Sequence, residues 1–265
     1  MRQLLNTNRV RPKKSLGQNF ITDNNFLLKI NDYIESSKNN LIIEIGPGKG
    51  ALTKYLLKKK FKKLFLIEKD NNLAAQLKLK YEKIKNIFVI NDDALTFDYS
   101  TFKNVEEKVI IYGNLPFNIS TNLLSKWISD DEWPSFFDKM ILMFQKEVAD
   151  RIIASHNNKK YGRLSVLVQS RCSVKKLLDA PASIFSPKPK VDGAVIQLKP
   201  IDNYNKINFN NLEKLLEQSF SSRRKKIKNT LRMHKKSLTK LNIDENLRPE
   251  NLSVSNYCEL VKLIN

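Results

Sequence analysis

The chain has 265 residues, 41% hydrophobic and 28% charged, with 47 basic against 27 acidic side chains and a formal charge of +20. That length buries a sizeable core as one large domain, or as one domain with a small appendage, and no apolar run reaches the roughly 18–20 residues needed to span a bilayer. The two cysteines, Cys172 and Cys258, and the two histidines, His156 and His234, are scattered, which argues against a disulfide framework or a zinc centre of the usual spacing.

The N-terminal stretch MRQLLNTNRVRPKKS is basic but has no apolar core of signal-peptide type, so a cytoplasmic protein without bound metal is expected. LIIEI (41–45) reads as a buried strand, ALTKYLLKKK (51–60) as a helix, LFLIE (64–68) as a strand and NNLAAQLKLKYEKI (71–84) as a helix. IFVI (87–90) and KVIIY (108–112) are further strands, SKWI (125–128) ends a short helix, KMILMF (139–144) is a strand, and QKEVADRIIA (145–154) is helical. LSVLVQSRCSV (164–174) and VDGAVIQL (191–198) look like paired strands near a sheet edge. Strands alternating with helices, with continuously apolar strands, signal a mostly parallel sheet covered on both faces.

After Lys199-Pro200 the character changes. Leu212, Leu215, Leu216 and Phe220 recur at helical spacing, and SVSNYCELVKLI (253–264) follows with Ser253 or Ser255 as its N-cap. We therefore expect an α/β domain over 1–200 and a small helical domain over 201–265. Positive charge gathers in two places. Residues 1–22 carry Arg2, Arg9, Arg11, Lys13 and Lys14 with no acid until position 23, and 223–243 carries Arg223, Arg224, Lys225, Lys226, Lys228, Arg232, Lys235, Lys236 and Lys240, again without an acid. Charge clustered in this way attracts a polyanion, and few large apolar residues interrupt it as a membrane-binding helix would require. A merely solvated face is the bland alternative.

The chemistry concentrates in short motifs. EIGPGKGAL (44–52) joins a strand to a helix, and Gly46 and Gly48 let the backbone turn and approach a ligand. Glu68 ends the second strand, where a carboxylate can accept both ribose hydroxyls of an adenosyl group. Asp92 and Asp93 follow the third strand, and one of them could accept an adenine amino group, with Ala94-Leu95 walling the ring. After the fourth strand comes Asn114-Leu115-Pro116-Phe117. An exocyclic amino nitrogen of adenine is a poor nucleophile because its lone pair is delocalised. The Asn114 oxygen and the Leu115 carbonyl, held by Pro116, could accept its two hydrogens and aim the lone pair at a methyl carbon. Phe117 offers a flat face for an extruded base.

SLGQNF (15–20), EIGPGKG (44–50), IEKD (67–70), DDALTF (92–97), GNLPFNIS (113–120), FSPKPKVDGAV (185–195) and SFSSRRKKIKNTL (219–231) together make the chain resemble the small-subunit ribosomal RNA adenine dimethyltransferases, in order and over nearly its whole length. The resemblance implies a Rossmann-like methyltransferase domain with a seven-stranded sheet and a helical C-terminal domain. It implies S-adenosylmethionine as cofactor and two methyls placed on each of two adjacent adenines near the 3′ end of 16S rRNA, during small-subunit biogenesis in the cytoplasm. It implies cofactor contacts at Asn19, Ile21, Gly46, Gly48, Glu68, Asp93 and Asn114, catalysis at Asn114, Leu115, Pro116 and Phe117, and rRNA contacts at Arg223, Arg224, Lys225, Lys226, Lys228 and at Phe185, a second stacking face. A monomer without metal is expected. Many members carry Tyr where this chain has Phe117; stacking survives that change, whereas any role for a phenol hydroxyl does not.

Three other readings compete. The large-subunit adenine methylase of macrolide-resistance type shares the core motifs, and a non-catalytic assembly factor could share the fold. A nicotinamide dehydrogenase is permitted by Gly46, Gly48 and Ala51 in G-x-G-x-x-A spacing. It lacks an evident hydride-transfer acid–base pair, and neither histidine falls in the expected crevice.

Overall fold

The continuous apolar runs form the middle of one sheet, because each strand is sealed on both faces. The computed structural model describes residues 18–130, 133–202 and 207–264. The first half contains β1 (Phe20–Ile21), α1 (Asn24–Asp32), β2 (Asn40–Ile45), α2 (Thr53–Leu56), β3 (Lys63–Glu68), α3 (Asn71–Tyr81), β4 (Ile87–Asn91), β5 (Lys108–Asn114) and α4 (Ser120–Ile128). The second half contains β6 (Lys139–Gln145), α5 (Lys146–Ile153), α6 (Arg163–Arg171), β7 (Cys172–Ala180), β8 (Phe185–Ser186) and β9 (Gly193–Pro200), then α7 (Phe209–Ser219), α8 (Ile227–Thr230), α9 (Lys235–Lys240) and α10 (Val254–Ile264).

Seven strands form the main sheet in the order β4-β3-β2-β5-β6-β9-β7. β4 to β6 are mutually parallel, and β9 runs antiparallel between β6 and β7. The chain winds outward from β2 to β4, then returns to β5 on the other side of β2, so the order reverses between β2 and β5. Open α/β sheets leave a crevice at such a reversal, beyond the carboxyl ends of the strands.

Side chains alternate across the sheet. Ile43, Ile45, Ile111 and Leu142 join one apolar cluster, while Ile42, Leu66, Ile110 and Ile141 join the other. The first cluster continues without a break into Leu212, Leu215 and Leu216 of α7 and Tyr257, Leu260 and Val261 of α10. The Arg171 guanidinium lies 4.8 Å from the Trp133 ring and 5.1 Å from that of Phe209, and the Trp133 indole donates to the Ile201 carbonyl at 2.8 Å. Ser253 caps α10: its hydroxyl accepts from the Asn256 N–H, and the Asn256 side chain accepts from the Ser253 N–H in return. Among the described residues no helix is long and apolar enough to cross a membrane.

Two elements differ from expectation. The run at 164–171 is helical, and only Cys172 onward forms the strand paired with β9. β-branched residues cost a helix only a few tenths of a kcal/mol each. Here Val166 and Val168 are fully buried, and the Gln169 side chain donates to the Ile152 and Ala154 carbonyls, which anchors α6 to the end of α5. The helix expected over 51–60 shrinks to α2, because Lys60 exchanges backbone and side-chain bonds with Ser36 and Ser37 and turns the chain into β3.

Candidate active site

The loop after β2 folds sharply because Gly46, Gly48 and Gly50 all take positive φ. Its Gly46 N–H donates to the Ile67 carbonyl at 2.9 Å, which ties it to the end of β3. A Cβ on Gly48 would sit 2.8 Å from the Phe20 ring, so that position needs glycine for its backbone angle and for the ring above it. The Lys49 ammonium covers the same ring at 4.9 Å. Gly113 serves a different purpose: a Cβ there would stand 2.6 Å from the Ile45 carbonyl oxygen, so a bare backbone lets β5 close on β2 and brings Asn114 beside the glycine loop.

Glu68 is buried at the end of β3. Its two oxygens accept the Gly48 and Asp70 N–H groups, each at 2.9 Å. Burial raises its pKa, opposed by these backbone bonds. Asp93 sits at the turn after β4. Its carboxylate accepts the Leu95 N–H at 3.0 Å and pairs with the Lys69 ammonium at 2.6 Å, and that hydrogen bond lowers its pKa. Asp92 accepts the Asp93 N–H and is exposed. Glu44, beneath the glycine loop, is fully buried. One of its oxygens takes the Thr53 hydroxyl at 2.7 Å, the other has no partner, and burial pushes its pKa up to about 8.

The Asn114 side chain donates from Nδ2 to the Asn19 carbonyl at 2.9 Å, which leaves Oδ1 to accept, and Asn114 lines the cleft. The Pro116 and Phe117 carbonyls are taken by the Ile119 N–H and the Ser120 hydroxyl as α4 begins. The Phe117 and Phe185 rings meet edge to face, 6.5 Å apart. What brings Phe185 there is a small ribbon: β1 pairs antiparallel with β8, Ile21 opposite Phe185, and the Thr22 N–H donates to the Ile184 carbonyl.

Asn19, Ile21, Gly46, Gly48, Glu68, Asp93, Asn114, Leu115, Pro116 and Phe117 thus line one open cleft, together with Gln18, Phe20 and Glu44. Phe185 reaches it through Phe117. The basic block lies apart from it. Arg224 and Lys225 are exposed, Arg223 donates to the Lys159 and Tyr161 carbonyls at 2.7 and 3.2 Å, and the ammoniums of Lys226 and Lys228 share the Asn246 side-chain oxygen. The N-terminal cations Arg2, Arg9, Arg11, Lys13 and Lys14, and residues 15–17 of the first motif, lie outside the described residues. No group of three or more His, Cys, Asp or Glu among the described residues is arranged to hold a metal.

Sequence reasoning missed several of these residues. Phe20 belonged to a quoted motif, but its packing on Gly48 has no sequence signature. Glu44 stood inside the glycine motif without an assigned task. Lys126 on α4 carries no signal in the sequence: its ammonium donates to the Leu95 and Phe97 carbonyls at 2.7 and 2.8 Å, and nothing in the spacing of residues 95, 97 and 126 announces that contact.

Comparison with known proteins bears on what this cleft does. Residues 9–265 match the family model of ribosomal RNA adenine dimethylase. The chain is 47% identical over 258 residues to ribosomal RNA small subunit methyltransferase A of Pelagibacter ubique, covering 96% of this chain and 97% of that one. It is 41% identical over 268 residues to the protein of the same name from Ehrlichia chaffeensis, covering 97% and 98%. A dimethyladenosine transferase of Plasmodium falciparum superposes with a TM-score of 0.80 at 27% identity, covering 93% of this chain and 97% of that one. The 23S rRNA methyltransferase ErmE gives 0.68 at 23% identity, covering 92% and 98%, a likeness of fold.

Proposed function

The chain belongs to the ribosomal RNA adenine dimethylase family, and from that premise we infer that it is an enzyme that dimethylates adenine in small-subunit ribosomal RNA. Its acceptors are the amino groups of two adjacent adenines near the 3′ end of 16S rRNA, its methyl donor is S-adenosylmethionine, and it works as a cytoplasmic monomer on the assembling small subunit. The observation that carries this reading is the meeting of the glycine loop, Glu68, Asp93 and the Asn114–Phe117 tetrapeptide in one cleft.

The residues fit the cofactor. Glu68 lies at the end of β3 with its carboxylate oriented by backbone N–H groups, and its remaining acceptor capacity suits ribose hydroxyls. Asp93, Ala94 and Ile67 face the same cleft and suit a purine. Gly46, Gly48, Asn19 and Ile21 would hold the amino-acid end, and the buried Glu44 oxygen without a partner would suit its ammonium. S-adenosylmethionine, when bound, supplies an electrophilic methyl carbon, so no strong base is needed.

The chain's own task is then positioning. Asn114 Oδ1 and the Leu115 carbonyl accept the two amino hydrogens of the target adenine, favour a pyramidal nitrogen and turn its lone pair into the cleft. The bond from Asn114 Nδ2 to Asn19 fixes which end of the amide points at the base. Phe117 stacks on the extruded adenine, with Phe185 at the edge of the stack. The nitrogen that has gained a methyl is strongly acidic and gives its proton to solvent.

We assign residues 1–200 to catalysis and 201–265 to rRNA binding, with Arg223, Arg224, Lys225, Lys226 and Lys228 gripping phosphates. The macrolide-resistance reading shares the fold, but the relatives at 41–47% identity support the small-subunit substrate. Mapping methylated nucleotides after incubation with unmodified small-subunit particles or large-subunit RNA tests the reading. Label on two neighbouring adenines of 16S rRNA is expected, and label on 23S rRNA alone overturns it.

A further inference from the structure

The loop 92–97, between β4 and the turn at Tyr99, carries the purine end of the cleft yet belongs to no ladder. Within itself it is held only by short turns: the Asp93 carbonyl accepts the Thr96 and Phe97 N–H groups, and its carboxylate accepts the Leu95 N–H. The Asp92 N–H bonds to the Glu68 carbonyl at 3.2 Å and links the loop to β3. Three of its carbonyls, at Ala94, Leu95 and Phe97, face inward and need donors. The Tyr99 hydroxyl serves Ala94 at 3.0 Å, and the Lys126 ammonium serves both Leu95 and Phe97. The ammonium also lies 5.1 Å from the centre of the Tyr99 ring. Lys126 stands on α4, which starts three residues after Phe117 and is anchored by buried Leu123, Leu124, Trp127 and Ile128.

We propose that Lys126 is a positioning residue for purine recognition: by clamping the 92–97 loop onto α4, it sets the place of Asp93 and Ala94 relative to the tetrapeptide. A lysine suits this task because one ammonium carries three donors on a long stem and can serve two carbonyls that no single backbone N–H reaches. Hydrogen bonds to a charged donor are also the stronger kind. Partial desolvation lowers its pKa, and the carboxylates of Asp98, Asp93 and Asp92 act against that loss. Lys126 is not among the residues lining the cleft, so its influence on a ligand passes through the loop.

This inference rests on reading 92–97 as the purine-binding loop. Its test is base discrimination, measured by calorimetry with S-adenosylhomocysteine and S-inosylhomocysteine, which differ in the 6-amino group that Asp93 would accept. The wild-type protein should prefer the adenosyl ligand. Lys126→Met, which keeps the stem and removes the donors, should lose about tenfold in adenosyl affinity, the scale of one charged hydrogen bond. Its inosyl affinity should stay nearly unchanged, so that discrimination collapses. Lys126→Arg should restore most of the preference. Should the methionine variant fail to fold, Lys126→Gln, which can serve one carbonyl, should lose part of the adenosyl affinity and leave the inosyl affinity nearly unchanged. An unchanged ratio in the methionine or glutamine variant, or equal loss of both ligands, overturns the role of Lys126, as does a wild-type protein that binds both ligands equally. A wild-type protein that binds neither refutes the cofactor assignment itself.

Discussion

The cleft and the basic face are built on opposite plans. In the cleft the polar groups are already engaged before any ligand arrives: Glu68 on two backbone N–H groups, Asn114 on Asn19, Asp93 on Lys69. Their orientation is prepaid, and a small displacement should be felt strongly. On the basic face Arg224 and Lys225 are simply exposed, and only Arg223, Lys226 and Lys228 are steadied by neighbouring carbonyl or amide oxygens. Such a surface acts by summed charge, with each cation replaceable in part by the next. The difference teaches that loss of a cleft residue should abolish a step, whereas loss of a surface cation should change a slope.

The sharpest way to break that contrast is Asn114→Ala. We expect labelled methyl transfer to small-subunit particles to fall about 10²–10³-fold, the scale of removing one aligned electrostatic partner. A rate within twofold of wild type would refute the role of the tetrapeptide. Gly48→Ala should come next. A left-handed backbone costs an alanine roughly 1–2 kcal/mol, and the new methyl must also displace the Phe20 ring. The melting temperature and the affinity for S-adenosylhomocysteine should fall together; unaltered binding would show that Phe20 over Gly48 is no part of the ligand cradle.

A smaller effect is expected from replacing Arg223 and Arg224 with alanine. Affinity for the particle should drop several-fold, and the slope of log affinity against log salt should flatten by about 1–2. An unchanged slope would make the block a solvated face, with Arg223 confined to holding the 159–161 backbone. A last test concerns Glu44. Its folded pKa, about 8, lies above the ordinary carboxylate value of 4.5, so between these values the folded state holds a proton that the unfolded chain releases. Its contribution therefore lowers stability as pH rises from about 5 to 8. Glu44→Gln should flatten the melting-temperature profile of the ligand-free protein over that window, with its advantage growing toward pH 8. A profile parallel to wild type would show that Glu44 is ionised throughout.

Much of the cleft was legible because its parts are local. A glycine loop between a strand and a helix, an acid at the end of the next strand and another after the third are read from spacing, since parallel strands deliver their carboxyl ends to one edge. Asn19 and Ile21 had no such signal. They reach the cleft through the β1–β8 ribbon, whose two strands lie more than 160 residues apart, and through the bond from Asn114 to the Asn19 carbonyl. The run 164–171 was misread for a related reason: its apolar residues suit a buried strand or a buried helix equally, and the neighbours α5 and α10 decide.

The amino-acid sequence alone determined the layered α/β plan and the cleft's contiguous motifs, because those depend on periodicity and on residues a few positions apart, and those motifs carry the resemblance to the family. Tertiary structure alone decided that Phe20 roofs Gly48, that Glu44 is buried with one oxygen unpaired, and that Lys126 holds the 92–97 loop. Each of these is a meeting of side chain and backbone whose distance is set by how the sheet twists and packs, and pattern along the chain carries no record of that.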